Sequence, residues 1–287
     1  MESRDYLSQV VAFLSREIGI RTCQDPEQLD RTARYIADQF SSFGYHVTRQ
    51  PFSFSGNTYH NVIAELRGSR SPERIIVVGA HYDTVRTTFG ADDNASGVAG
   101  LLDLARCLAG KPLKRTVRFV AFALEEPPVY RTANMGSYHY ARSLREKQEQ
   151  VDGMICLEMI GYFCDQDGSQ HYPLPFMNLK YPGRGNFIAI VGNLASKGFT
   201  DSIAQGFSHG TDLPVITLNA PFFVLGIDFS DHWSFYQFGY RALMVTDTAF
   251  YRNPHYHAPS DLPQTLDYTG MAEVVAGLRK AIMEWGE

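Results

Sequence analysis

"RIIVVGAHYD", residues 74–83, carries the information that decides the fold. Ile75, Ile76, Val77, Val78 and Ala80 form an apolar run with no polar residue alternating through it. A half-exposed strand would alternate, so this one is expected to be buried on both faces, as in a parallel sheet. At its end the character changes abruptly, to His81 and Asp83 around Tyr82. A buried strand that runs into ionisable residues suits an open α/β sheet, where ligands bind beyond the carboxyl ends of the strands.

Similar runs recur outward from this one. "TVRFVAFAL" (116–124), "GMICLEMIG" (153–161), "NFIAIVG" (186–192) and "RALMVTD" (241–247) are expected as further buried strands. Helical spacing separates them: "NASGVAGLLDLARCLAG" (94–110), "MGSYHYARSLREKQ" (135–148) and "TGMAEVVAGLRKAIMEW" (269–285). Before them, Tyr6, Val10, Val11, Phe13 and Leu14 share one helical face. A second helix follows over 25–44, with Pro26 near its start and Gly44 after its end. "HVTRQPFSF" (46–54) and "YHNVIAELRG" (59–68) predict two strands around a turn at Gly56-Asn57. Strands alternating with helices predict one α/β domain over 1–287: a central, mostly parallel mixed β-sheet with helices on both faces, and residues 1–45 packed on it as N-terminal helices. No repeat, linker or low-complexity tract divides it.

Hydrophobic content of 44% supports an ample core, and a net charge of −5 over 287 residues offers nucleic acid or an anionic membrane no electrostatic footing. No apolar run approaches the length of a membrane span. The first residues carry acids and only a short apolar stretch, unlike a signal peptide. A soluble, cytoplasmic protein is therefore expected. Cys107 and Cys156 lie in apolar runs and read as small buried hydrophobes.

The ends of the buried strands are rich in one chemistry. The first runs into His81 and Asp83, and the loop beyond holds Asp92 and Asp93. The second runs into Glu125 and Glu126, the third into Glu158. After the last, "TAFYRNPHYHAPSD" holds His255 and His257. Of the 26 lysines and arginines, none lies in "AHYDTV", "GADDNASG", "LEEPP", "CLEMIG" or "HYHAPSD", so carboxylates and imidazoles gathered there need a cation. Nitrogen and oxygen donors without thiolate suit zinc, with cobalt and manganese as the alternatives. A cation also accounts for two adjacent glutamates at a strand end. One of the pair coordinates the metal, and its neighbour stays free as a base for the attacking water.

These motifs, in this order, resemble the di-zinc aminopeptidases of metallopeptidase family 28, from about residue 59 to about residue 270. The resemblance implies the zinc-exopeptidase fold, two zinc ions and hydrolysis of the N-terminal peptide bond of peptides with a free N-terminus. It implies His81, Asp93, Glu126, Glu158 and His257 as metal ligands, with Asp93 bridging and its bond to Asn94 in the cis form. Glu125 matches the general base, Asp83 the acid that orients His81, and Tyr256 a donor to the oxyanion. Many relatives have aspartate where this chain has Glu158, which shifts one metal or alters its affinity. His255 matches no ligand position, and Asp231 and His232 in "FSDHWSF" are expected to support the site from below.

Three other functions fit parts of the pattern. A glutaminyl-peptide cyclase-like acyltransferase shares the fold and works with one zinc, so it has no need of His81 as a ligand. A non-catalytic binding module would be expected to have lost the base or a ligand, and none is lost here. A carboxypeptidase-like amidohydrolase would need a cation for the substrate carboxylate, from Arg131, Arg184 or Arg252. Tyr162, Phe163, Phe222 and Phe223 are the aromatic residues expected to line a side-chain pocket.

Overall fold

In a computed structural model of the chain, which describes residues 1–285, each of these apolar runs becomes a strand. Strands β1 (Val47–Phe54) and β2 (Asn57–Leu66) form an antiparallel hairpin. Its turn uses Gly56 at φ 80°, a conformation that costs glycine little. Then come β3 (Ser71–His81), β4 (Arg115–Phe122), β5 (Gln150–Leu157), β6 (Ile188–Gly192), β7 (Val215–Asn219) and β8 (Ala242–Thr246). All eight form one sheet in the order β1-β2-β4-β3-β5-β8-β6-β7. β3 pairs in parallel with both β4 and β5, and β5 in parallel with β8. The antiparallel pairs are β1–β2, β2–β4 and β6–β8. The four adjacent strands β4, β3, β5 and β8 therefore end at one edge of the sheet.

The pleat sends alternate side chains to opposite faces, and both faces are covered. Ile76, Val78 and Ala80 of β3 join a core with helices α1 (Ser3–Ala12), α2 (Pro26–Ser42), α3 (Gly97–Leu108), α5 (Lys197–Ser208) and α7 (Tyr268–Trp285). Ile75 and Val77 join a second core with α4 (Gly136–Glu146) and the short α6 (His232–Gln237). Helix α2 starts where expected, because the Asp25 side chain accepts the Gln28 N–H at 3.1 Å and Pro26 follows it. Tyr6, Val10, Val11 and Leu14 are buried on the predicted face, while Phe13 is half-buried and stacks on Tyr35. Cys156 is buried, but Cys107 is only half-buried.

Three local differences bear on the site. The helix expected over 94–110 begins at Gly97, because Asp93 and Asn94 leave helical geometry. The strand expected over 153–161 ends at Leu157, which frees Glu158 from the ladder. Finally, β7, α5 and α6 were absent from the sequence-based expectation. Among the described residues, no helix is long and apolar enough to cross a membrane.

Candidate metal centre

Three of the four adjacent strands deliver donors almost at once. His81 is the last residue of β3, Glu125 and Glu126 follow β4 within four residues, and Glu158 follows β5 directly. The loop after β8 brings His257 back over them, and the loop after β3 brings Asp93. Two glycines shape that Asp93 loop. Gly90 takes φ 59°, with the Asp93 carbonyl against it, and a Cβ on Gly97 would stand 2.3 Å from Asn94 Oδ1. The Asp93–Asn94 peptide bond is cis, as the resemblance implied.

The donor atoms fall into two groups joined by one carboxylate. Asp93 Oδ1 is 3.5 Å from His81 Nε2, which is 3.2 Å from Glu158 Oε2. Asp93 Oδ2 is 3.1 Å from His257 Nε2, which is 3.4 Å from Glu126 Oε2. One donor atom from each of His81, Asp93 and Glu126 lies within 4.8 Å of the others. Glu125 belongs to neither group but lines the cavity that opens in front of both.

Buried side chains around the cluster fix its backbone. Asp83 accepts the N–H groups of Glu125 and Glu126, each at 3.0 Å, and stands 3.4 Å from His81 Nδ1. Asp261 repeats the device, accepting the N–H groups of Asp92 and Asp93 at 2.8 and 3.1 Å. Asp92 accepts from Gly161 N and from Asn253 Nδ2. Ser230 donates to Glu158 Oε2 at 2.5 Å. Non-glycine residues with positive φ flank or form the ligands: Leu124 at 61°, Met159 at 51° and His257 at 56°. Each costs on the order of 1–2 kcal/mol that the surrounding structure must offset.

Electrostatics makes the cluster unfavourable without a cation. Burial pushes the Glu126 carboxyl up to about 8, with Asp93 adding to the push and His257 opposing it. Burial likewise drives Glu125 well above its usual range, against the pull of His81 and with Glu126 and Glu158 adding. Burial works against the His257 imidazolium, yet Asp93 and Glu126 raise its pKa to about 10. Both His81 nitrogens, Asp93 Oδ1 and Glu126 Oε1 are buried without a hydrogen-bond partner. An unpaired buried polar atom costs about 1–3 kcal/mol, and two of these, His81 Nε2 and Asp93 Oδ1, face one another at 3.5 Å. Imidazole nitrogen and carboxylate oxygen are donors for zinc, so the residues present fit that ion.

One cation is built in beneath the cluster, and the sequence motifs do not contain it. Arg21 is fully buried and donates to the carbonyls of Tyr82, Leu14, Gly19, Phe89 and Gly90 at 2.7–3.0 Å. Asp261, Asp83, Asp93 and Glu126 all act on its charge. Arg21→Met leaves five carbonyls without their donor and removes a buried positive charge felt by four nearby acids. It should lower the unfolding free energy by about 3–5 kcal/mol, read from the midpoint of a denaturant titration. An unmoved midpoint would show that the arginine is dispensable.

Other expected residues are more varied in their positions. Tyr256 lines the cavity, and its ring stacks on His257 with centroids 3.8 Å apart. His255 accepts or donates within its own loop, at 2.9 Å from Ser260 Oγ. Asp231 and His232 are fully buried at the start of α6, and His81, Glu158 and Asp83 all act on the Asp231 carboxyl. Tyr162 and Phe163 do not line the cavity, while Phe222 and Phe223 are 78% and 72% exposed. Tyr130 does line it, with a buried hydroxyl that has no partner.

Residues 61–282 match the family described as Peptidase family M28. YfbL of Escherichia coli strain K12 is 43% identical over 284 residues, covering 96% of this chain and 86% of that protein. Aminopeptidase YwaD of Bacillus subtilis is 35% identical over 112 residues, 38% of this chain and 24% of its own length. BSAP, a zinc aminopeptidase from Bacillus subtilis, shares the fold with a TM-score of 0.77 at 16% identity, over 98% of this chain and 95% of its own.

Proposed function

This chain belongs to peptidase family M28, and from that premise we propose that it is an aminopeptidase, a zinc-dependent hydrolase that removes N-terminal residues from peptides with a free α-amine. The observation that carries this is the division of the Asp93 carboxylate between two donor groups. His81, Glu158 and Asp93 Oδ1 would hold one zinc ion, and His257, Glu126 and Asp93 Oδ2 a second. Zinc bound there supplies Lewis acidity, which activates water and polarises the scissile carbonyl.

The chain's own residues do the rest. Glu125 takes the proton from the attacking water and returns it to the leaving amine. Asp83 fixes the backbone of both glutamates and faces His81 Nδ1 at 3.4 Å, from where it would orient the ring once Nε2 is taken by a metal. Tyr256 donates a hydrogen bond to the oxygen that gains charge on the way to the tetrahedral intermediate. The substrate's ammonium group would meet the carboxylates near the metals, and among the described residues no lysine or arginine lines the cavity to repel it. This is the physical basis of N-terminal selectivity.

The competing activities meet specific objections. A single-zinc cyclase leaves His81 without a task, whereas here that ring meets both Asp93 and Glu158. A carboxypeptidase needs a cationic anchor, but Arg131 pairs with Asp228 and Arg184 with Asp167. Arg252 is buried and donates to Gln170 and to the Phe187 carbonyl. The test is elemental analysis of purified protein, followed by digestion of one peptide in free and N-acetylated forms. Two zinc ions and release of the first residue from the free peptide alone are expected. Cleavage of the acetylated peptide, or release from the carboxyl end, would refute the proposal. A cytoplasmic setting stays part of this proposal, and cell fractionation checks it.

Glu158 makes the two sites unequal. It is longer than the aspartate common in relatives, and Ser230 already claims the oxygen that faces His81. Titrating zinc into metal-free protein should therefore show a strong and a weak site. Glu158→Ala should abolish the weak one and spare the strong. Equal loss at both would contradict the assignment.

A further inference from the structure

The two edges of the sheet are built differently. β1, at one end of the strand order, carries Arg49 and Pro51. A charge and a residue without an N–H are the devices that keep an edge strand from pairing further. β7, at the other end, reads "VITLN" and carries neither. Its ladder with β6 runs from the Ile188 N–H, which donates to the Pro214 carbonyl, to the Ala220 N–H, which donates to the Gly192 carbonyl. Even-numbered residues of β7 therefore face β6. The N–H and carbonyl groups of Val215, Thr217 and Asn219 face outward, where no described strand pairs with them.

Apolar surface flanks this open edge. Of the large apolar side chains exposed among the described residues, six fall in two segments: Leu174, Phe176 and Leu179, and Phe222, Phe223 and Leu225. The segments meet, since Leu174, Phe176, Leu218 and Val224 line one cleft. Apart from Lys180, no charged residue occurs in 172–182 or 213–227, in a chain that is 20% charged. Phe176, Leu179, Phe222, Phe223 and Leu225 are 57–91% exposed. At roughly 200 Å² for each such side chain, they present on the order of 700 Å² of apolar surface. The largest patch on a typical monomer is about 300–600 Å², and a standard interface buries about 800 Å² from each partner.

We propose that β7 and these two segments form a dimer interface with a second copy of this chain, in which the two β7 strands pair antiparallel about a two-fold axis beside Thr217, the middle residue of the strand. The partner has to be nearly free of charge, because a charged group buried against this surface loses its hydration with no counter-ion but Lys180. It also has to offer an open strand edge, to satisfy the outward N–H and carbonyl groups. The same surface on a second copy meets both demands, and a two-fold contact needs only one self-complementary patch. A lipid surface fails the second demand, since hydrocarbon offers the strand no donors or acceptors. The net charge of −5 gives no attraction to anionic headgroups either.

The test is sedimentation velocity of the full-length protein between about 1 and 100 μM. Twice the mass of one chain is expected at the upper end. Phe223→Asp should weaken self-association by about 100-fold or more, as loss of a central aromatic contact does. Thr217→Pro removes no bond to β6 and only an outward N–H. It should weaken self-association by about 10-fold or more, because symmetry applies the change twice. Circular dichroism checks that both variants fold. If either does not, hydrogen exchange of the wild-type protein decides instead: the Thr217 amide should exchange fast in dilute solution and slowly at the highest concentration. A protein that stays monomeric throughout, exchange that does not depend on concentration, or dimers that survive both substitutions would overturn the proposal. So would a monomer that sediments with vesicles of phosphatidylcholine and phosphatidylglycerol, which would assign the patch to a lipid surface.

Discussion

Glu125→Gln is expected to keep its metal content and lose about 10²–10⁴ of its turnover, the usual cost of removing a general base. The two adjacent glutamates differ in what they touch. Glu126 meets His257 and lies within a few ångströms of His81 and Asp93, so it belongs to the donor cluster. Glu125 lines the same cavity without entering either donor group. Glutamine keeps the length of the side chain and its hydrogen-bonding capacity but cannot take up a proton at neutral pH. The main-chain grip of Asp83 on both positions is unaffected, because it holds N–H groups and not side chains. The variant should therefore fold, bind zinc and bind peptides at near wild-type affinity while hydrolysing them slowly. Glu126→Gln should instead lose zinc in elemental analysis. The reverse pattern would mean that the pair has been assigned backwards. Full activity in Glu125→Gln would remove the base from the mechanism altogether.

Part of this site was legible from the ends of buried strands alone, while Asp93 and His257, 12 and 11 residues beyond β3 and β8, were assigned through the family resemblance. That His81, the pair Glu125-Glu126 and Glu158 meet at one edge needed only the recognition of an apolar run and its end, since parallel neighbours must finish at the same edge; which of the pair is the ligand came from the resemblance. The edge of the sheet was harder. β7 is five residues long, half-buried throughout and preceded by Pro214, so neither a continuous apolar run nor a clean alternation marks it. The helix α5 has three apolar anchors, Phe199, Ile203 and Phe207, but Gly198 and Gly206 dilute the pattern. Arg21 was illegible for another reason, because its partners are backbone carbonyls brought together by folding, and no residue type records them. Asp261 sits inside a quoted motif, yet its role depends on a contact 168 positions away. Side-chain direction in loops was also beyond reach. Phe222 and Phe223 point outward, and the cavity draws its aromatics from Tyr172, Phe187, Phe229 and Phe250.

Asp93→Asn should cost more than any other single change at the site, removing both zinc ions together and activity with them. Two dications at the spacing usual in two-metal sites, about 3.5–4 Å, would repel by on the order of 20 kcal/mol even at an effective dielectric of about 20. The site must hold enough negative charge between and around them to reverse that. Asp93, Glu126 and Glu158 are the carboxylates of the two donor groups, and only Asp93 stands in both. Asparagine preserves the shape of the side chain, and Asp261 would still hold the loop through its N–H groups. The charge is lost, however, and one of the two oxygens becomes an amide nitrogen that donates and does not ligate. Replacing a ligand that serves one ion alone, such as His257, should release that ion first. Replacing the shared one should release both in a single step. Zinc content by elemental analysis, measured with calorimetric titration of the metal-free variant, separates these outcomes. One zinc retained at wild-type affinity in Asp93→Asn would show that the carboxylate is not shared, and the two donor groups would have to be redrawn.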